Sequence, residues 1–128
     1  MTMCRGIRGA TTTEENTREA IAEETRELLR ELVVANDINV DDVASVFFTT
    51  SPDLNAEFPA VAARELGWRS IALMCGHEMS VPHGLEKCVR VLIHWNTDKP
   101  AADIRHVYLK GAARLRPDLS GHQLAKEK

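Results

Sequence analysis

The chain has 128 residues and a mass of 14.3 kDa, which is the size of one domain and leaves no room for a second. Hydrophobic residues at 44% and charged residues at 27% are typical of a globular protein and exclude a disordered or membrane-embedded chain. With a formal net charge of −3, the chain lacks the broad positive potential on which nucleic-acid-binding proteins depend. We therefore expect a single domain over 1–128 with a polar, mobile tail over 117–128, and neither a nucleic-acid nor a membrane partner.

The cysteines and the N-terminus indicate a reducing compartment. Cys4, Cys75 and Cys88 are odd in number and include no C-x-x-C pair, so a disulfide framework is not expected. The first residues lack the apolar stretch of a secretory signal, and no run approaches the length of a membrane-spanning helix. We therefore expect a cytoplasmic protein.

The first two elements are a strand and a long helix. A short strand is expected over 3–10, and the segment Thr11–Glu15 contains two overlapping capping boxes that predict a helix start there. Apolar residues then recur at helical spacing to about Asn36, with charged residues on the remaining face. This pattern predicts an amphipathic helix with one buried side.

The remaining elements are mostly strands. The run 43–50 is apolar on both faces, as a central strand would be. A short helix is expected over 59–66, before Gly67. The other expected elements are strands over 70–75, 87–96 and 106–110, a loop over 76–84 and one helical turn over 101–104. Together they predict an α+β fold, close to α/β, in which the long helix covers one face of a mixed five-stranded sheet. The second face or the edges of so small a sheet stay exposed unless subunits associate.

Arg90 is the unusual residue of the fourth predicted strand. It alternates with valines, and an ionised guanidinium cannot be buried without an anion nearby. One interpretation is a structural salt bridge to Glu78, and the other is an anionic ligand. Because Arg8 lies on the first strand, Arg64 on the short helix and Arg116 after the last strand, cationic groups outnumber the obvious carboxylate partners. Several guanidinium forks would suit a small dicarboxylate.

Other candidate residues are less specific. Tyr108, the one tyrosine, suits the edge of the core and a hydrogen bond to a ligand about equally. Cys75 is more typical of a small buried residue than of a nucleophile, because no histidine is spaced to activate it. His77 and Glu78 begin like a zinc-protease helix, but Val81 stands where the second histidine is needed. No phosphate-binding glycine loop is present either, so we expect neither a metal nor a nucleotide cofactor.

Six sequence blocks occur in a familiar order. They are RGIRGATT at 5–12, PDLNAEFPA at 52–60, Cys75 followed by Glu78-Met79, CVRV at 88–91, IRHVYL at 104–109 and LRPDL at 115–119. Together they resemble the monofunctional chorismate mutases of the Bacillus type, and the match runs from Arg5 to about Ser120. Each block alone is weak, but six in this order are highly specific.

The resemblance implies an assembly and a reaction. The assembly is a homotrimer that forms a pseudo-α/β barrel, with active sites in clefts between subunits. The reaction is the pericyclic conversion of chorismate to prephenate, in phenylalanine and tyrosine biosynthesis, without a cofactor or a covalent intermediate. Two alternatives stay open, a non-catalytic trimeric carboxylate-binding module and an imine hydrolase of the Rid type.

The resemblance also implies roles for particular residues. Arg90 would donate to the ether oxygen and to a carboxylate, and Glu78 would accept from the substrate hydroxyl while fixing Arg90. Arg8 and Tyr108 would bind carboxylate, and Cys75 would complete the wall beside Glu78. The further substrate-binding residues it implies are Met74, Gly76, His77, Leu115 and Arg116, with Phe58, Ala60 and Arg64 from the neighbouring subunit.

Overall fold

The structure is a computed structural model that describes residues 1–115. Its strands are β1 (Met3–Thr12), β2 (Val43–Thr50), β3 (Ala72–His77), β4 (Cys88–Thr97) and β5 (Val107–Tyr108). They form one sheet in the order β3-β2-β4-β1-β5. The pairs β1–β5 and β2–β3 are parallel, whereas β4 is antiparallel to both β1 and β2. The predicted mixed five-stranded sheet is confirmed. The expected tail over 117–128 lies outside the described residues, and a single domain over 1–128 stays a prediction.

Two helices pack on one face of this sheet. Helix α1 spans Arg18–Asn36 and buries the apolar side that its spacing predicts, and helix α2 spans Ala60–Glu65. The side chains of α1 that enter the core with those of β1, β2 and β4 are Leu28, Leu29 and Leu32. The prediction of a long helix covering one face of the sheet is therefore confirmed.

Neither α1 nor any other helix in the described part of the chain, residues 1–115, has the length and apolar character needed to span a membrane.

The predicted start of α1 is wrong. Strand β1 continues through Thr12, because Thr11 and Thr12 pair with the first two residues of β4. The helix begins six residues later, where Oγ1 of Thr17 accepts a hydrogen bond from the backbone N–H of Ala20 at 3.1 Å. Pairing with a central strand therefore outweighed two local capping signals, as tertiary contacts commonly outweigh local preference.

Other boundaries differ less. β2 spans the predicted residues, α2 is one residue shorter at each end, and β4 is shifted by one residue. β3 runs through His77, into the predicted loop, because it pairs with β2 as far as Thr50. β5 has only two residues, since Lys110 adopts a left-handed φ of 52° and begins a 3₁₀ helix, Lys110–Leu115. Nζ of Lys110 pairs with Glu24 and Glu27 of α1, which holds the start of this segment.

The sheet separates an apolar face from a mixed one. The odd-numbered residues of β4, from Val89 to Trp95, are buried beneath the helices, as the alternation predicts. The opposite face carries Arg90, Leu92 and the residues paired with them. On that face Phe47 is 40% exposed and Met74, beside it in the register, is 62% exposed. Large apolar side chains thus face solvent in the single chain, which is typical of a surface that contacts a partner.

A buried amide joins α1 to the start of β5. Nδ2 of Asn36 donates to the carbonyl oxygens of Leu32 at 3.0 Å and Arg105 at 2.9 Å. Its Oδ1 accepts from the backbone N–H of Arg105 at 2.8 Å. One side chain therefore satisfies both backbone groups of the residue that leads into the short edge strand.

We predict that Asn36→Ala lowers the free energy of unfolding by about 2–4 kcal/mol, because it leaves these buried backbone groups of Arg105 without a partner. The matched control is Asn39→Ala. Asn39 accepts from the N–H of Asp41 at an exposed turn, so its loss should cost about 1 kcal/mol or less. Urea unfolding of both variants measures the difference. Equal destabilisation would show that the Asn36 amide does not hold β5.

Candidate active site

A carboxylate and a guanidinium lie side by side where β2, β3 and β4 meet. Thr49 of β2 is opposite Arg90 of β4, and the backbone N–H of Glu78 donates to the carbonyl of Thr50 at 2.8 Å just beyond β3. Oγ1 of Thr49 donates to Oε2 of Glu78 at 2.7 Å, and that oxygen lies 4.0 Å from Nε of Arg90. Backbone pairing therefore fixes the position of this ion pair.

The Arg90 side chain is not saturated by this carboxylate. Its Nε is buried and has no hydrogen-bond partner among residues 1–115, and the separation from Glu78 is too long for a hydrogen bond. A buried charged donor without an acceptor is costly unless a ligand supplies one. A purely structural ion pair with Glu78 therefore accounts for the charge of Arg90. It leaves the N–H donor at Nε without an acceptor among the described residues.

The sheet register brings several predicted site residues to one cavity. Thr49, Arg90, Ala10 and Tyr108 form a row across β2, β4, β1 and β5. A cavity of about 250 Å³ opens above this row, and its lining includes Arg8, Glu78, Arg90, Tyr108 and Leu115. Because Ala10 is small, it leaves space between the tyrosine and the guanidinium. Two guanidinium groups, one carboxylate and one phenol therefore converge on a space of ligand size.

A second group of predicted residues lines a separate cavity. It has a volume of about 350 Å³, and its predicted lining residues are Phe58, Cys75, Gly76 and His77. Phe58 is 66% exposed, and Nδ1 of His77 lies 3.0 Å from Oγ1 of Thr50 in a hydrogen bond. Cys75 pairs with the buried Phe48, so its side chain lies on the helix-covered face, away from Arg90. The wall that the resemblance implies, Cys75 beside Glu78, is divided between the two faces in the single chain.

Three predicted residues that the structure describes lie outside both cavities. Ala60 is buried at the start of α2, Arg64 is exposed on the same helix, and Met74 is exposed on the open sheet face. Arg116 lies outside the described residues. Sequence reasoning missed Thr49, whose hydroxyl donates to Glu78. The alternation of β2 puts Thr49 on one face of the strand, but only its pairing with Arg90 shows that this face belongs to the site.

Burial keeps the nearby thiols protonated. It raises the pKa of Cys88 to about 11, with the positive charge of Arg90 opposing the effect. Burial also raises the pKa of Cys75, opposed by a hydrogen bond from the Ala60 backbone and by the charge of Arg64. Neither thiol is poised as a thiolate nucleophile near neutral pH. Among residues 1–115, no three His, Cys, Asp or Glu side chains come together as metal ligands would.

The cavity beside Arg90 therefore has the side chains of a class of site, a cationic cleft suited to an anion, and within residues 1–115 neither Cys75 nor Cys88 is an activated nucleophile. Comparison with known proteins places the chain more narrowly. The family model described as chorismate mutase type I matches residues 4–119. The chain belongs to this family.

Individual relatives agree with this assignment. "Chorismate mutase AroH" of Thermus thermophilus is 50% identical over 122 residues, which cover 94% of this chain and all of that protein. "Chorismate mutase AroH" of Bacillus subtilis strain 168 is 48% identical over 119 residues, or 92% of this chain and 94% of that one. A solved chorismate mutase from Clostridium thermocellum has a TM-score of 0.85 at 53% identity and covers 86% of this chain and 98% of its own. The predicted family is confirmed.

We predict that iodoacetamide at pH 8 modifies Cys4 well before Cys75 or Cys88. Cys4 is exposed, whereas the raised pKa values of the other two thiols reduce their thiolate fractions. Because the thiolate fraction keeps rising up to the pKa, alkylation of Cys88 should accelerate with pH from pH 8 upward and level off only near pH 11. Peptide mass spectrometry gives the order of modification. Modification of Cys88 first at pH 8 would contradict it.

Proposed function

We propose that this chain converts chorismate to prephenate and that the cavity lined by Arg8, Glu78, Arg90 and Tyr108 is its active site. The observation that carries the proposal is the buried Nε of Arg90, which lacks an acceptor in residues 1–115 and belongs to a side chain that lines this cavity. Chorismate carries two carboxylates and an ether oxygen, so it supplies the acceptors that the cavity lacks. The family assignment makes this substrate the expected one.

The chemistry requires charge stabilisation rather than proton transfer. In the rearrangement the ether C–O bond breaks while a new C–C bond forms, and negative charge develops on the departing oxygen. The Arg90 guanidinium, always charged, donates to that oxygen and to a substrate carboxylate. Glu78, held by Thr49, keeps Arg90 oriented and accepts from the substrate hydroxyl. Donors oriented before the reaction stabilise the transition state without reorganisation.

Substrate conformation is the second contribution. Bond formation requires the compact diaxial conformer, in which the enolpyruvyl side chain lies over the ring. Arg8 and Tyr108 bind carboxylate on the side of the cavity formed by β1 and β5. Holding both ends of the substrate at a fixed spacing favours this conformer and lowers the entropic part of the barrier.

We also propose that each active site lies between two subunits of a homotrimer. The Arg90 cavity is not lined by Phe58, Ala60 or Arg64 of the same chain. In the proposed assembly these residues complete the cavity of a neighbouring subunit instead. The exposed Phe47 and Met74 support this assembly, since association would cover them. In the trimer, the sheets would form the central pseudo-α/β barrel and the helices would lie outside. Prephenate formation would then serve phenylalanine and tyrosine biosynthesis.

We predict that Arg90→Lys lowers kcat by about 100- to 1,000-fold, because one ammonium cannot replace a fork aimed at both the ether oxygen and a carboxylate. Loss of chorismate absorbance measures the rate. Arg30→Lys, on the exposed face of α1, is the matched control and should keep the rate of the unsubstituted chain. Normal turnover in Arg90→Lys would exclude the proposed role. Absence of prephenate with the unsubstituted chain would instead favour a binding module or an imine hydrolase.

We predict that light scattering gives a mass about three times the 14.3 kDa of one chain. Arg90→Ala and Arg64→Ala should each be nearly inactive, because each removes one half of a shared site. After the two variants are unfolded together and refolded as a 1:1 mixture, random trimers should regain about one quarter of the activity, since about one site in four receives both arginines. Failure of the mixture to exceed the separate variants, or a stable active monomer, would exclude intersubunit sites.

A further inference from the structure

A side chain extends the pairing of the edge strand β5 with β1. The backbone N–H of Arg8 donates to Nδ1 of His106 at 2.9 Å, in the place where a strand carbonyl would normally accept. Strand pairing begins one residue later, at Gly9. The carbonyl of Arg105, immediately before the histidine, accepts from Asn36 instead. The imidazole therefore supplies the acceptor for the backbone of a residue that lines the Arg90 cavity.

This hydrogen bond requires one protonation state of the ring. Nδ1 of an imidazole accepts only when it carries no proton, so the ring is neutral and has its proton on Nε2. A ring with the proton on Nδ1, or with both nitrogens protonated, would present a donor to another donor. The Arg8 N–H would then exchange a fixed acceptor for water at this exposed position, and Arg8 would no longer be bonded to the segment before β5.

We infer that His106 is a positioning residue that fixes Arg8 relative to Tyr108. His106 bonds directly to Arg8 and immediately precedes the two-residue strand β5 that carries Tyr108. The far end of this pairing is closed by the backbone N–H of Leu109, which donates to Ala10 at 2.9 Å. Without the imidazole, Arg8 would lose its direct bond to the segment that leads into Tyr108, and Asn36 would hold the start of β5 to α1 alone.

The inference rests on the proposed function, in which Arg8 and Tyr108 bind substrate carboxylate. Because Arg8 and Tyr108 select the compact conformer when the substrate binds, a change in their spacing should weaken binding more than it slows the bound substrate's reaction, which depends on Arg90. Enzyme kinetics separate these effects as a rise in KM with little change in kcat.

Three substitutions at one position test the acceptor. Oδ1 of asparagine can occupy the place of Nδ1, whereas Oε1 of glutamine lies nearer to that of Nε2. We expect His106→Ala and His106→Gln to raise the KM for chorismate by about tenfold with kcat changed less than about twofold, and His106→Asn to keep KM within about twofold. His83→Ala, in the exposed loop before β4, is the control and should leave both constants unchanged. Equal KM values for His106→Asn and His106→Gln would overturn the inference.

A spectroscopic measurement shows directly whether Nδ1 of His106 is unprotonated, without any substitution. In a long-range ¹H–¹⁵N spectrum of the ¹⁵N-labelled protein at neutral pH, we expect His106 to show an unprotonated Nδ1 and a protonated Nε2. A proton on Nδ1 would overturn the inference even if His106→Ala failed to fold.

A last variant separates this inference from the proposed function. Arg8→Gln should raise KM by more than His106→Ala, because it removes the ligand-binding group itself. If Arg8→Gln leaves KM unchanged, the proposed carboxylate site is wrong and the inference about His106 falls with it. If Arg8→Gln raises KM whereas His106→Ala does not, the site stands and only the positioning role is wrong.

Discussion

The proposed active site depends on a charge that cannot be removed. A guanidinium stays protonated at any physiological pH, so Arg90 must keep its charge in the middle of a sheet. The structure gives it one partner, Glu78, at 4.0 Å and leaves its Nε without an acceptor in residues 1–115. This arrangement orients the charge without saturating it. In the proposed mechanism an anionic ligand completes the coordination, and the same geometry stabilises negative charge as it develops.

Strand pairing in the sheet sets the distances between the residues of the proposed site. Residues opposite one another on paired strands lie about 5 Å apart, so pairing alone sets the spacing of Thr49, Arg90, Ala10 and Tyr108. The short β5 is the vulnerable part of this row, because two residues of pairing hold little. The structure reinforces its start from two directions, with Asn36 of α1 on one side and the Arg8 backbone on the other.

The sequence predicts some parts of this structure well, and physical reasons explain the rest. The run 43–50 is apolar on both faces, and the alternation of β4 isolates Arg90 among buried residues, so both strands follow from local pattern. The start of α1 does not, because two capping boxes were outweighed by pairing of β1 with β4. The division of the site residues is hidden by a strand boundary. Cys75 and Glu78 are three positions apart, so alternation puts them on opposite faces, but the predicted strand ends at Cys75 whereas β3 continues through His77 by pairing with β2.

The most direct measurement is a crystal structure with a bicyclic dicarboxylate that mimics the compact transition state of chorismate. The account predicts that the ether oxygen of this molecule accepts from the Arg90 guanidinium within hydrogen-bond distance. Its carboxylates would contact Arg8 and Tyr108 of the same chain and Arg64 of the neighbouring one. An Arg90 side chain turned away toward another anion, with the ligand bound elsewhere, would contradict it.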